Sequence, residues 1–153
     1  RIGKDDRKTV PGLNGQFELG RAQLIREGKD LLLIALGAVS YEAALACEIL
    51  NKEGISASLL IVSSLNPSPV DDLVYQLSRF VRAITVEAHY LSGGLGSDVC
   101  ELVAERKLNC RVLRCGISEL PDGLTGSQSF LYNKFGLSPE AIVDKAKALC
   151  AEV

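Results

Sequence analysis

The segment Val81–Lys107, which reads VRAITVEAHYLSGGLGSDVCELVAERK, decides the fold of this chain. Residues 82–87 are rich in β-branched and apolar side chains, which predicts a buried strand. Glycine fills three of the four positions 93–96, and from Val99 onward apolar side chains recur at helical spacing. The segment therefore predicts a strand, a short loop over 88–92, a glycine turn, and a helix that runs to about Lys107.

The glycine turn, residues 93–97, joins the predicted strand to the predicted helix. Because glycine has no Cβ atom and accepts positive φ, the start of the helix is expected to lie close to the sheet. Ser97 or Asp98 is the expected cap of this helix, since either side chain can accept hydrogen bonds from free backbone N–H groups.

Strand patterns and helix patterns alternate along the rest of the chain. The other predicted strands are Asp30–Leu36, ended by Gly37, then Ala57–Val62, and Arg111–Cys115, ended by Gly116. Another predicted helix follows Ser40, which is its expected cap. Further helices are predicted to begin at Val70, at Ser127 and at Ser138-Pro139-Glu140. Loops are expected over 63–69 and 121–126. This alternation is typical of a mostly parallel sheet with helices on both faces. We therefore predict an α/β fold, a three-layer α/β/α Rossmann-like domain.

The composition argues against several classes of protein. A chain of 153 residues with 47% hydrophobic and 24% charged residues suits one globular domain with its own core. The net charge of −2 comes without a basic block, and apolar runs such as Leu31–Leu36 are too short to span a bilayer. The first ten residues lack the apolar core of a signal peptide. We therefore expect neither nucleic acid nor a membrane as a partner.

The five cysteines are odd in number, and no two of them have C-x-x-C spacing. They are Cys47, Cys100, Cys110, Cys115 and Cys150. Cysteines in such a pattern are most often small, buried hydrophobic residues of a reducing compartment. We therefore expect free thiols, no metal site, and a cytoplasmic location.

Polar residues and glycines cluster where the central predicted strand ends and its helix begins. This candidate site comprises Glu87, His89, Tyr90, Gly93, Gly94, Gly96 and Ser97. The carboxyl ends of strands are where α/β proteins usually bind ligands, and a helix N-terminus attracts anions. Amphipathic aromatic residues such as Tyr90 are common at interfaces. The cluster indicates an anion site or an interface, and a purely structural turn with a structural histidine stays open.

Other kinds of site lack their sequence patterns. The turn after the first strand has one glycine, Gly37, and the second strand ends in Val62-Ser63-Ser64, without the acidic residue of a dinucleotide fold. No glycine run ends in the Lys-Ser or Lys-Thr of a P-loop. His89, the only histidine, has neither metal ligands nor a nucleophile at a recognisable spacing. The sequence thus predicts no catalytic, cofactor-binding or metal-binding residue.

Four segments occur together in an order that a known family shares. They are Arg26–Asp30 with the following strand and alanine-rich helix, Gly54–Ala57, VEAHYLSGGLGSDVCELVAE at 86–105, and LYNKFGLSPEAIVDKAKAL at 131–149. Together they resemble the C-terminal domain of transketolase-type thiamine diphosphate-dependent enzymes, over about residues 12–150. The resemblance implies one antiparallel edge strand in the sheet, for which Phe17–Arg26 is the candidate.

The start of the chain resembles a junction between two domains of that family. The run Arg1–Lys4 is similar to the end of the preceding domain, and the chain contains no methionine. We therefore expect residues 1–15 to be a linker from a preceding domain and residues 16–153 to be the transketolase C-terminal-like domain.

The resemblance implies a non-catalytic, dimer-forming and regulatory part of an enzyme that transfers two-carbon ketol units between sugar phosphates. Thiamine diphosphate and Mg²⁺ would bind the other domains, which are the implied partners together with a second copy of the chain, and the isolated chain would be inactive. The alternatives are the C-terminal domain of a deoxyxylulose-phosphate synthase or of a 2-oxo-acid dehydrogenase β chain, and a stand-alone anion-binding α/β module. In those two enzymes the loop after the second strand resembles Arg-x-x-Lys/Arg-Pro-Leu-Asp, whereas Leu65–Asp71 contains no basic residue, which favours a transketolase.

Overall fold

A computed structural model describes residues 8–119 and 123–151, which form one sheet with helices on both of its faces. The strands are β1 (Ala22–Arg26), β2 (Leu31–Leu36), β3 (Ala57–Val62), β4 (Arg82–Tyr90) and β5 (Arg111–Ile117). The helices are α1 (Ser40–Lys52), α2 (Val70–Leu77), α3 (Leu95–Glu105), α4 (Gln128–Lys134) and α5 (Pro139–Ala151).

The sheet has the strand order β1-β3-β2-β4-β5. β2 pairs in parallel with both β3 and β4, β4 pairs in parallel with β5, and β1 pairs antiparallel to β3 at the edge. The predicted three-layer α/β/α architecture is confirmed, and so is the antiparallel edge strand within Phe17–Arg26.

The central strand β2 is buried on both faces, which explains its unbroken apolar sequence. Leu31 and Leu33 belong to the core beneath α1 and α5, whereas Leu32 and Ile34 belong to the core beneath α2 and α3. All four side chains are 0% exposed. β2 therefore fixes the middle layer against which the other elements pack.

Strands β4 and β5 both run further than their sequences predict. The prediction that β4 ends at Glu87 is wrong, because a register shift after Val86 lets the pairing resume at Tyr90, opposite Ile117. Gly116 lies inside β5 rather than ending it, and a Cβ atom there would stand 2.8 Å from the Leu91 side chain. The missing side chain at Gly116 makes room for the irregular end of β4.

Three predicted helix starts have different outcomes. The prediction that Ser40 caps α1 is wrong: Gly37, with φ of 78°, starts a 3₁₀ turn over Gly37–Val39 that leads directly into the helix, so Ser40 is already helical. The Ser127 hydroxyl does accept a hydrogen bond from the Phe130 amide at 3.2 Å, and Ser138 accepts one from Ala141 at 3.3 Å. The predicted starts of α4 and α5 are thus confirmed.

The remaining expectations concern the chain ends, the cysteines and membrane segments. Residues 1–7 of the predicted linker and 120–122 around the predicted loop lie outside the described residues, while Val10 packs in the core. All five cysteines are free, as predicted, and burial raises the pKa of the Cys47 and Cys110 thiols to about 11. Within 8–119 and 123–151, no helix is long and apolar enough to cross a bilayer.

Leu33→Ala should lower the free energy of unfolding by about 2–5 kcal/mol, because it opens a cavity in a strand that is covered on both faces. The matched control is Leu19→Ala, whose side chain is 60% exposed and should change stability by no more than about 0.5 kcal/mol. Urea unfolding measures both variants. Equal losses in the two variants would contradict the assignment of β2 to the centre of the core.

Candidate functional site

The candidate site lies at the carboxyl end of β4, beside the central strand β2. The chain turns to opposite sides of β2 when it places β3 and then β4, and ligands of α/β sheets bind at such switch points. The face of β4 that meets the start of α3 carries every second side chain of the strand, namely Thr85, Glu87 and His89. The structure thus brings four predicted residues into contact, namely Glu87, His89, Gly94 and Gly96.

Glu87 is completely buried, and its carboxylate lies against the first amides of α3. Oε2 accepts a hydrogen bond from the Leu95 amide at 2.8 Å, and Oε1 accepts one from the Gly96 amide at 2.8 Å. His89 Nδ1 lies 2.8 Å from Oε2, within ion-pair distance. A buried carboxylate is costly unless it is fully hydrogen-bonded, and here the positive end of a helix adds to its stabilisation. Glu87 therefore acts as the cap of α3.

The prediction that Ser97 or Asp98 caps α3 is wrong, because the helix begins at Leu95 and both residues already lie in its first turn. The Ser97 hydroxyl accepts a hydrogen bond from the Gly93 amide and donates one to the Leu91 carbonyl, each at 3.0 Å. Asp98 instead accepts a hydrogen bond from the Ser68 hydroxyl at 2.6 Å. These two side chains close the turn and join α3 to the loop before α2.

Two of the three glycines are required by close contacts rather than by backbone conformation. A Cβ atom at Gly94 would overlap Glu87 Oε2. A Cβ atom at Gly96 would lie 2.7 Å from the Arg114 side chain and 2.9 Å from Thr85 Oγ1. The predicted close approach of helix and sheet is confirmed, whereas Gly93 is favoured by its φ of 74°.

The amides that would hold an external anion already have acceptors within the protein. Leu95 and Gly96 donate to Glu87, and the amides of Ser97 and Asp98 both donate to the Gly94 carbonyl at 3.1 Å. The anion that meets this helix end is therefore a side chain of the chain itself. Binding of an external anion at this turn stays a prediction, and it would require the ligand to displace Glu87.

His89 and Tyr90 bring the site to the surface. The His89 side chain is 47% exposed, and with Nδ1 against Glu87 the other ring nitrogen, Nε2, lies on the far side of the ring. Tyr90 is also 47% exposed. This end of β4 therefore presents an oriented imidazole and an aromatic ring to solvent, and its use as an interface stays a prediction.

In this arrangement the glycine turn does not fit the diphosphate group of thiamine diphosphate. Mg²⁺ beside a diphosphate is usually held by one or two carboxylates together with phosphate oxygens and water. Across 8–119 and 123–151, no three histidine, cysteine, aspartate or glutamate side chains are grouped so that they could hold a metal ion. The amides of the glycine turn, which would suit a diphosphate, are bonded to Glu87.

Several curated proteins are similar to this chain in sequence. A putative transketolase C-terminal section from Methanocaldococcus jannaschii is 37% identical over 130 residues, which are 84% of this chain and 40% of that protein. A 1-deoxy-D-xylulose-5-phosphate synthase from Syntrophotalea carbinolica is 37% identical over 135 residues, 87% of this chain and 21% of the relative. The chain thus spans less than half the length of these relatives.

Solved structures give the same picture of the fold. The chain is similar to a protein described as "Split gene transketolase, inactive beta4 tetramer", with a TM-score of 0.84, 29% identity, and coverage of 94% of this chain and 46% of that one. A transketolase variant from Pichia stipitis matches with a TM-score of 0.63 at 18% identity, over 85% of this chain and 18% of that chain, and shows the fold alone.

Glu87→Gln should lower the free energy of unfolding by about 1–3 kcal/mol, because the amide group of glutamine sets one N–H against the N–H donors of α3. The control is Glu101→Gln, at an exposed position on the same helix, which should stay within about 0.5 kcal/mol of the original protein. Chemical denaturation gives the two values. If Glu87→Gln proves as stable as its control, the carboxylate does not cap α3.

The sequence model of the family "Transketolase, C-terminal domain" matches residues 20–142, most of the chain. The match includes the whole of the strand, turn and helix that form the candidate site. The fold similarity to the split-gene transketolase chain agrees with it. The chain therefore belongs to the transketolase C-terminal domain family.

Proposed function

We propose that this chain is the non-catalytic, dimer-forming and regulatory C-terminal domain of a transketolase-like enzyme. The whole enzyme transfers two-carbon ketol units between sugar phosphates and acts in the cytoplasm. The observation that carries this proposal is the similarity of 94% of the chain to 46% of a split-gene transketolase chain, with a TM-score of 0.84.

Two features of the described residues favour a non-catalytic role for this domain. The carboxylate at the switch point is fully engaged by α3 and His89. The amides of the glycine turn that would suit a diphosphate already donate to that carboxylate. On this proposal, thiamine diphosphate and Mg²⁺ bind other domains of the enzyme, and those domains are partners of this one.

A second candidate function is the C-terminal domain of a 1-deoxy-D-xylulose-5-phosphate synthase. The 37% identity to the Syntrophotalea carbinolica synthase favours it. Against it, the loop Leu65–Asp71 contains none of the basic residues expected there, so we prefer the transketolase assignment. No specific observation favours the dehydrogenase β chain or the stand-alone anion-binding module.

The activity assay compares the isolated chain with the complete enzyme, both supplied with thiamine diphosphate and Mg²⁺. We expect ketol transfer from a ketose phosphate to an aldose phosphate by the complete enzyme and none by the chain alone. Ketol transfer by the isolated chain would contradict the non-catalytic role. Formation of 1-deoxy-D-xylulose 5-phosphate by the complete enzyme, without ketol transfer between sugar phosphates, would establish the second candidate instead.

The dimer contact is proposed at the exposed end of β4, where His89 and Tyr90 lie. An aromatic side chain that is 47% exposed beside a fixed imidazole offers both apolar area and a directed hydrogen-bonding group. Its neighbour Glu87 is locked in the interior, so the surface is held in place without the partner. The proposed occupant is a second copy of this chain.

Tyr90→Glu should weaken dimerisation of the complete enzyme at least about tenfold, since it places a charge where the proposed dimer would bury an aromatic side chain. Sedimentation velocity at several concentrations measures the dissociation constant. Tyr75→Glu is the matched control, because Tyr75 is 61% exposed on α2 and lies outside the proposed contact. An unchanged dissociation constant in Tyr90→Glu would exclude this end of β4 from the interface.

A further inference from the structure

A cavity of about 500 Å³ opens at the carboxyl ends of β2 and β3, and none of the candidate site residues lines it. Its wall combines the segment before β1, the start of α1, the end of β3 and one face of α4. Its polar side chains include those of Lys8, Ser40, Tyr41, Glu42 and Gln128. Small-molecule sites of α/β proteins lie at this edge of the sheet.

Ser40 is the residue of this wall whose environment indicates a ligand. It is 3% exposed, and its hydroxyl has no hydrogen-bond partner among the residues that the structure describes. A buried hydroxyl without a partner is unfavourable, and such groups call for a specific explanation. A ligand group that bonds to the hydroxyl would supply the missing partner.

The start of α1 adds positive potential at the same place. Neither Leu36, before the 3₁₀ turn, nor Val39, before α1, provides a side-chain cap. The helix end therefore retains the partial positive charge that attracts phosphate groups. Lys8 lies over the Tyr41 ring, with Nζ 5.1 Å from the ring centre, which holds an ammonium group at the cavity wall.

Glu42 limits which anions the cavity accepts. Its carboxyl group lines the same wall, where it would repel a bare anion. Burial raises the pKa of Glu42, while Lys8 acts in the opposite direction. A ligand that also carries hydroxyl groups would satisfy Glu42 and the Gln128 amide, because both accept hydrogen bonds from hydroxyls.

We propose that this cavity binds a small phosphate ester that carries several hydroxyl groups, such as a phosphorylated sugar or polyol. The phosphate lies at the start of α1, near Ser40 and Lys8, and the hydroxyl groups face Glu42 and Gln128. The site belongs wholly to this chain, so the proposal stands independently of the activity and dimerisation proposed above.

Calorimetric titration of the 153-residue chain with ribose 5-phosphate tests the proposal, with inorganic phosphate and ribose as partial ligands. We expect ribose 5-phosphate to bind at least about tenfold more tightly than either partial ligand. Ser40→Ala and Lys8→Gln should each weaken its binding about tenfold, which corresponds to about 1.4 kcal/mol. Lys52→Gln, at the opposite end of α1, is the control and should bind as the original chain does.

Measurements on the variants also distinguish loss of the binding site from unfolding of the chain. Ser40→Ala removes an unpartnered hydroxyl, so its melting temperature should not fall, and Lys8 is exposed. Amide chemical shifts of Gly37–Ser40 should move on titration in the original chain only. No binding at millimolar ribose 5-phosphate, equal affinity for inorganic phosphate, or unchanged affinity in both Ser40→Ala and Lys8→Gln would overturn the proposal.

Discussion

The buried carboxylate of Glu87 against the first amides of α3 is the contact on which the central unit of the fold depends. It joins the end of β4 to the start of α3, eight residues later, by two hydrogen bonds of 2.8 Å. This contact requires glycine at position 94, because a side chain there would fill the space that Oε2 occupies. The turn is thus shaped by an internal anion, and the helix dipole that elsewhere binds phosphate stabilises Glu87 here.

The Glu87 contact also positions the side chains at the exposed end of β4. Since Glu87 holds His89 through Nδ1, the imidazole is fixed beside Tyr90 at the rim of the sheet. The Glu87 carboxylate is enclosed, and the outer edge of the site presents the half-exposed His89 and Tyr90 side chains. The cavity at β2 and β3 is the opposite case among the described residues, because there the start of α1 has no side-chain cap and the buried Ser40 hydroxyl has no hydrogen-bond partner.

The sequence predicts the layers of this fold well because burial leaves a periodic pattern. The apolar run of β2 and the glycine at its end predict the central strand, and Phe17–Arg26 contains the antiparallel edge strand. Two details were wrong for different reasons: the end of β4 depends on a residue distant in sequence, and the start of α1 depends on a local turn. β4 continues to Tyr90 because Gly116 on the neighbouring strand leaves room, and α1 starts from a 3₁₀ turn that moves Ser40 inside it.

The candidate site was located correctly as a cluster, but its internal roles were not. A cap is usually sought in the residues next to the helix, so Ser97 and Asp98 were the natural expectations. The signal that identifies Glu87 is that Thr85, Glu87 and His89 occupy every second position of a buried strand and so share one face. A glycine turn follows this strand in the sequence. A polar side chain in that position has no solvent to bind, and the incoming helix end is the nearest source of N–H donors.

The most direct test of this account is the NMR scalar coupling that is transmitted across a hydrogen bond. The account predicts measurable couplings from the amide nitrogens of both Leu95 and Gly96 to the side-chain carboxyl carbon of Glu87. Couplings from these amides to a different acceptor, or none while helical amides nearby show theirs, would contradict the claim that Glu87 caps α3.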